Sequence, residues 1–212
     1  MRGSGPISGL MARPRARRLH KAGGRKTGGF MMTVLIAYAS ALGSTREMAQ
    51  HMASRMAGAL GEVECRSVED VGALSRYEAV VVGSAVHNQA WLPPALLFFK
   101  HHARELASRP VWAFSVGMAD ALPKPIRRRG AAMQQERLAE VLIKEVPLRG
   151  HKLFSGVYQA GQMPAPLRVL FRLTGGRFGD LRDWAAVDEW TDQITAQLAK
   201  PASSTSSGSI TG

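Results

Sequence analysis

The chain has 212 residues, 45% of them apolar, with 28 Lys and Arg against 16 Asp and Glu. That is long enough for one α/β domain with a substantial core and suits a soluble globular class. No stretch reaches the ~18 apolar residues of a membrane span, and the lone Cys65 permits no intramolecular disulfide and fits a reducing cytoplasm. The net charge of +12 is unevenly spread, because residues 1–31 hold eight cations and no acid, which leaves +4 for residues 32–212.

Residues 1–31 are rich in Gly and Arg, with almost no apolar pattern, and are expected to be disordered. Contact with nucleic acid or anionic lipid is one reading of this stretch. The other is a dispensable tail, since Met11, Met31 and Met32 offer later starts. The second is favoured because no groove-reading element accompanies the basic residues, so no specific nucleic-acid partner is expected. The stretch also lacks the apolar core of about 7–15 residues that a secretory signal needs.

From Met32 onward strand-like and helix-like segments alternate. Val34–Ser40 reads as a buried strand, followed through Ala41, Leu42, Gly43, Ser44 and Thr45 by a helix over Arg46–Leu60, with Met48, Met52, Met56 and Leu60 four apart and Gly61 as its stop. The turn has two readings. Ser44 or Thr45 is a plain N-cap, or the turn holds an anion, since the first N–H groups of a helix lack intrahelical partners and sit at the positive end of its dipole. Glu62–Val68 alternates like a half-exposed edge strand, and Ala79–Ser84 is continuous and β-branched, as a strand covered on both faces is. Pro94–Leu106 reads as a helix, Val111–Val116 as a buried strand and Ala131–Val146 as a helix. Lys152–Gln159 is a fifth strand, and Asp183–Leu198 is a last helix with Val187, Trp190, Ile194 and Leu198 on one face. The Ser-rich end makes 200–212 a second tail, so the domain is expected to span 32–199.

Alternating β and α segments imply a parallel sheet with helices on both faces. A dinucleotide fold calls for G-x-G-x-x-G after the first strand, whereas SALGST has one glycine. A three-layer α/β sandwich on a five-stranded sheet ordered 2-1-3-4-5 fits better and puts Glu62–Val68 at an edge.

YASALGSTREMA resembles the flavodoxin phosphate loop, (Ser/Thr)-x-Thr-Gly-x-Thr, with Ser40, Gly43 and Thr45 in matching places and Leu42 where the middle Thr is usual. YEAVVVGSAVHNQAWLPPALLFFKHHAREL and LRVLFRLTGGRFGDLRDWAAVDEW resemble parts of the flavodoxin-type, menaquinone-dependent protoporphyrinogen oxidases and their bacterial relatives. The flavodoxin-like fold and FMN at the switch point of the sheet are what this resemblance implies. Ser40, Ala41, Leu42, Gly43, Ser44 and Thr45 would then hold the phosphate. Two loops would flank the isoalloxazine: Ser84, Ala85, Val86, His87, Asn88, Gln89, Ala90 and Trp91 after the third strand, and Ser115, Val116, Gly117 and Met118 after the fourth. His87 and Trp91 are able to stack on a flavin. Alternatively, Trp91 staples the next helix to the core.

Other features are expected to be structural. His101 and His102 lack a partner at metal-ligand spacing, and Arg127, Arg128 and Arg129 read as a solvated turn. The helix Ala165–Thr174 carries Leu167, Val169, Leu170, Phe171 and Leu173 with Arg168 and Arg172. It reads as a core-covering helix or as one that lies on a membrane surface.

The resemblance implies an FMN-dependent oxidoreductase that needs no catalytic acid or base of its own, with a small-molecule substrate such as protoporphyrinogen and a quinone or other electron acceptor. The net +4 of residues 32–212 contrasts with the acidic character of flavodoxin electron carriers and suits a flavin that accepts electrons. The expected location is cytoplasmic, with peripheral contact at the inner face of the plasma membrane. The alternatives are an electron carrier, an NAD(P)H:quinone reductase, or a binding module that has lost its flavin.

Overall fold

The structure, a computed structural model, describes residues 32–118, 121, 124–144, 146–162 and 164–200. The expected tail at 1–31 and all but Lys200 of the one at 200–212 lie outside these residues. The chain runs β1 (Met32–Ala39), α1 (Ser44–Leu60), β2 (Gly61–Ser67), β3 (Ala79–His87), β4 (Ala90–Trp91), α2 (Pro93–His101) and α3 (Ala103–Ala107). It continues as β5 (Val111–Gly117), α4 (Lys124–Ile143), β6 (Gly150–Ser155), β7 (Val157–Tyr158), α5 (Ala165–Leu173), β8 (Gly179–Asp180) and α6 (Trp184–Ala199).

The main sheet has the order β2-β1-β3-β5-β6, all parallel, with β4 added as an antiparallel hairpin on β3. This is the expected 2-1-3-4-5 arrangement, with β2 at an edge. Successive strand residues point to opposite faces, and the buried residues divide accordingly. Val34 and Ile36 of β1 join Met48, Met52, Met56 and Leu60 of α1 and Val187, Trp190, Ile194 and Leu198 of α6 on one side. Leu35 and Ala37 join Ala95, Phe98 and Phe99 of α2 and Leu138 and Leu142 of α4 on the other. The apolar spacing read in α1 and α6 is thus the contact face between them and the sheet.

Several boundaries differ from expectation. The helix expected over Pro94–Leu106 is interrupted at His102, whose buried ring lies 2.9 Å from Glu105. α4 begins at Lys124, so Arg127–Arg129 is helical backbone rather than a turn; Pro125 is tolerated there because the first turn of a helix needs no N–H donor. The fifth strand stops at Ser155. After Gly156 the chain pairs instead with β8, so that the described residues between 157 and 180 form a separate arm at the carboxyl end of the sheet. A small aromatic cluster holds this arm together: Tyr158 stacks on Phe178 and meets Phe171 edge-on. No helix among the described residues is long and apolar enough to cross a membrane.

Candidate functional site

The carboxyl ends of β1, β3, β5 and β6 open into a cleft of about 340 Å³. Its floor begins where β1 turns into α1. Gly43, at φ +96°, occupies the N-cap position in the left-handed region that glycine adopts without strain, and no side chain caps the helix. The plain N-cap reading fails here, because neither hydroxyl turns back on the helix. Ser44 Oγ accepts a hydrogen bond from the Val157 N–H at 3.3 Å, while Thr45 Oγ1 is buried with no partner among the described residues. Ser40 Oγ accepts from the Gly43 N–H at 3.1 Å and braces the turn.

An unpaired buried hydroxyl is costly and calls for an explanation. Here it lines a cleft beside an uncapped helix start, where the dipole favours negative charge. Among the described residues no Asp, Glu, Lys or Arg lines the cleft. An anion seated there would be met by hydroxyls and backbone N–H groups rather than by a cation.

Of the residues expected at the site, Ser40, Ala41, Leu42, Ser44, Thr45, Ala85, Val86, His87, Asn88, Val116, Gly117 and Met118 line the cleft. Leu42 stands 73% exposed. Gly43 shapes the turn from beneath. Asn88 and Gln89, at φ 49° and 62°, form the tight turn of the β3–β4 hairpin. Asn88 faces the cleft, but Gln89 and Ala90 do not line it.

Ser84, Trp91 and Ser115 are buried beneath the cleft. Ser84 Oγ accepts from the Leu92 N–H at 3.1 Å and donates to the Ala85 carbonyl at 2.9 Å, so it fastens the hairpin to the start of α2. Trp91 is 3% exposed, packs edge-on against Phe99 and donates from Nε1 to Ser115 Oγ at 2.7 Å. It is a staple, and of its two readings the stacking one falls away. Ser115 Oγ also lies 2.8 Å from His151 Nε2, and burial pushes the His151 pKa down to about 4. Either tautomer leaves the buried His151 Nδ1 without a partner.

Sequence reasoning missed the third wall, formed by Gly156, Val157 and Tyr158. A Cβ on Gly156 would lie 2.8 Å from Val116 Cγ1 and 3.4 Å from Ser44 Cβ, so only glycine lets β6 leave the sheet between them. Arg182 reinforces this junction by pairing with both Asp180 and Glu47 of the first turn of α1. The signal available in the sequence was a glycine at a strand end followed by an aromatic residue. Among the described residues, no cluster of three or more His, Cys, Asp or Glu is placed to hold a metal.

Comparison with known proteins agrees with this geometry. No curated protein matches the chain. Among solved structures it is similar to a flavodoxin from Pseudomonas aeruginosa (14% identity, TM-score 0.49, covering 80% of this chain and 100% of that one). It is also similar to oxidised flavodoxin 1 from Bacillus cereus (18%, 0.45, 81% and 99%) and to an NADH:FMN oxidoreductase in its apo form (11%, 0.49, 78% and 89%). With TM-scores below 0.5, these likenesses add nothing to what the strand order already shows. The family match is stronger, because residues 35–159, more than half of the chain, match the flavodoxin domain, whose members bind FMN. The strand order, the open helix start at the end of β1 and this match together place the chain in the flavodoxin-domain family.

Proposed function

We propose that this protein is an FMN-dependent oxidoreductase. The observation that carries the reading is the buried, unpartnered Thr45 hydroxyl at an uncapped helix start within the cleft. In this reading Ser40–Thr45 hold the phosphate through hydroxyls and N–H groups, Ala85–Asn88 and Val116–Met118 flank the ring, and Tyr158 closes the third side. When bound, FMN supplies an isoalloxazine ring that takes up electrons and passes them on. The protein's own residues bind, orient and shape access. The hairpin pinned by Ser84 and Trp91 keeps His87 and Asn88 at the cleft edge, and Gly156 brings the arm against the phosphate turn.

For the substrate, we read the donor as protoporphyrinogen and the acceptor as a quinone, so that hydrogen removed from the donor ends on the quinol. Supporting this are the resemblance of Tyr77–Leu106 and Leu167–Trp190 to the menaquinone-dependent protoporphyrinogen oxidases and a cleft lining without carboxylates. Quinones of this kind dissolve in bilayers, so the reading carries with it a peripheral position at the inner face of the plasma membrane. The test is anaerobic: FMN-loaded protein is mixed with protoporphyrinogen, then with a menaquinone analogue, and the flavin spectrum is followed. Bleaching by the first and recovery with the second are expected. Bleaching by NAD(P)H instead would favour a quinone or nitro-compound reductase. Bleaching by neither, with reversible exchange only with other redox proteins, would favour an electron carrier.

A further inference from the structure

Helix α5 faces the wrong way for a helix of a globular domain. At about 100° per residue, Leu167, Val169, Leu170 and Leu173 share an arc of about 160°, and Arg168 and Arg172 lie on the opposite side. A surface helix ordinarily turns its apolar arc to the core and its charges to water. Here the protein side is Phe171, packed against Tyr158 and Phe178, with the Arg172 guanidinium over the Phe178 ring. The four aliphatic side chains point outward, 53% to 80% exposed, and no residue of the helix is buried. The core-covering reading of this helix is therefore overturned.

The charge around the arm narrows what covers this face. From Val146 to Gly179 the chain carries Arg149, Lys152, Arg168, Arg172 and Arg177 and no Asp or Glu. The next acid, Asp180, is engaged by Arg182. The occupant must accept aliphatic side chains and supply negative charge. Residues 1–31 have eight cations and no apolar pattern, and residues 201–212 have no charge, so neither end of this chain is complementary. A second copy would bring the same cations against themselves.

We propose that the arm from Val157 to Asp180 docks the protein on an anionic lipid bilayer. Leu167, Val169, Leu170 and Leu173 enter the acyl boundary, and Arg168, Arg172 and Arg177 meet headgroup phosphates, an arrangement that gains from apolar burial and from charge together. Tyr158 belongs both to the arm and to the cleft wall, so the cleft lies beside the membrane and is reached by lipid-soluble molecules. Docking is independent of the flavin reading, and only the consequence for access rests on it.

The test is co-sedimentation of the full chain with vesicles of phosphatidylcholine alone and of phosphatidylcholine mixed with phosphatidylglycerol. Binding to the mixed vesicles that weakens with added salt is expected. Leu170→Gln with Leu173→Gln, and separately Arg168→Gln with Arg177→Gln, should each weaken it by about tenfold or more. Leu170, Leu173 and Arg177 are exposed and Arg168 is half-buried, so circular dichroism and FMN affinity should stay as in the parent, which separates failure of docking from failure of the site. Four results would overturn the proposal: no vesicle binding, equal binding to both vesicle types, undiminished binding of the leucine variant, or self-association of the parent that the leucine variant loses. Undiminished binding of both variants would assign the attraction to cations outside the arm, such as the eight of residues 1–31.

Discussion

Thr45 separates anion binding from mere helix capping. Its hydroxyl gains nothing in the free protein, since it is buried without a partner. Thr45→Val should therefore leave the melting temperature of the FMN-free protein unchanged or raise it. FMN affinity should fall by about tenfold, the worth of one hydrogen bond to a charged group. Thermal melts and an FMN titration of the same variant check both halves, and a destabilised protein with full affinity would make Thr45 a structural residue only. His151 carries a different signature. Its folded pKa of about 4 lies below the ordinary 6.5, so between those values the unfolded chain binds a proton that the folded one refuses. Stability should be full above about pH 6.5 and decline as pH falls toward 4. Denaturant melts across that window should show the slope, and His151→Gln should flatten it. The uncapped turn at the start of α1 was legible as a candidate anion site because its hydroxyls, glycine and helix start are consecutive. Trp91 was not, because its role depends on Ser115, 24 residues away, and nothing local distinguishes an indole donating to a buried hydroxyl from one facing a ligand.

At the scale of elements, the β3–β4 hairpin and the arm give the cleft its walls. Trp91→Phe keeps the ring packing on Phe99 but removes the bond to Ser115. It should cost about 1 kcal/mol of stability, as measured by denaturant melts, with FMN affinity changed less than by Thr45→Val, since Trp91 lies under the cleft rather than in it. Gly156→Ala should do more damage to binding. Its Cβ would push Val116 and Ser44 apart, at a cost of about 1–3 kcal/mol for overpacking, and open the phosphate turn along with the arm. Unfolding and FMN titrations of the variant should show both losses, and an unaltered affinity would detach the third wall from cofactor binding. The strands and helices were readable from period and length. The end of the fifth strand was not, because β-propensity continues through Val157 and Tyr158 and only the pairing of those residues with Gly179 and Asp180 diverts them from the sheet. The outward turn of α5 was equally hidden, since an amphipathic pattern gives the arc but not the side on which the protein lies.

For the whole molecule, the strand order follows from alternating βα units and from the half-exposed pattern of β2, and both were visible in the sequence. The position of the cleft follows in turn, since a parallel sheet places its loops at the carboxyl ends of the strands and ligands bind where the order reverses, here between β1 and β3. The net charge was a poorer guide. The +4 of residues 32–212 does not reach the cleft lining, which among the described residues holds no Lys or Arg, so a ligand there would meet apolar side chains, hydroxyls, His87, Asn88 and backbone rather than nearby cations. The central claim is that this cleft binds FMN by its phosphate. It is tested most directly by titrating the purified protein with FMN and with riboflavin, which has the same ring without the phosphate, and following flavin fluorescence. FMN should bind and be quenched, riboflavin should bind at least about tenfold more weakly, and Thr45→Val should narrow the gap. Equal affinity for the two flavins, or no binding of FMN, would contradict it.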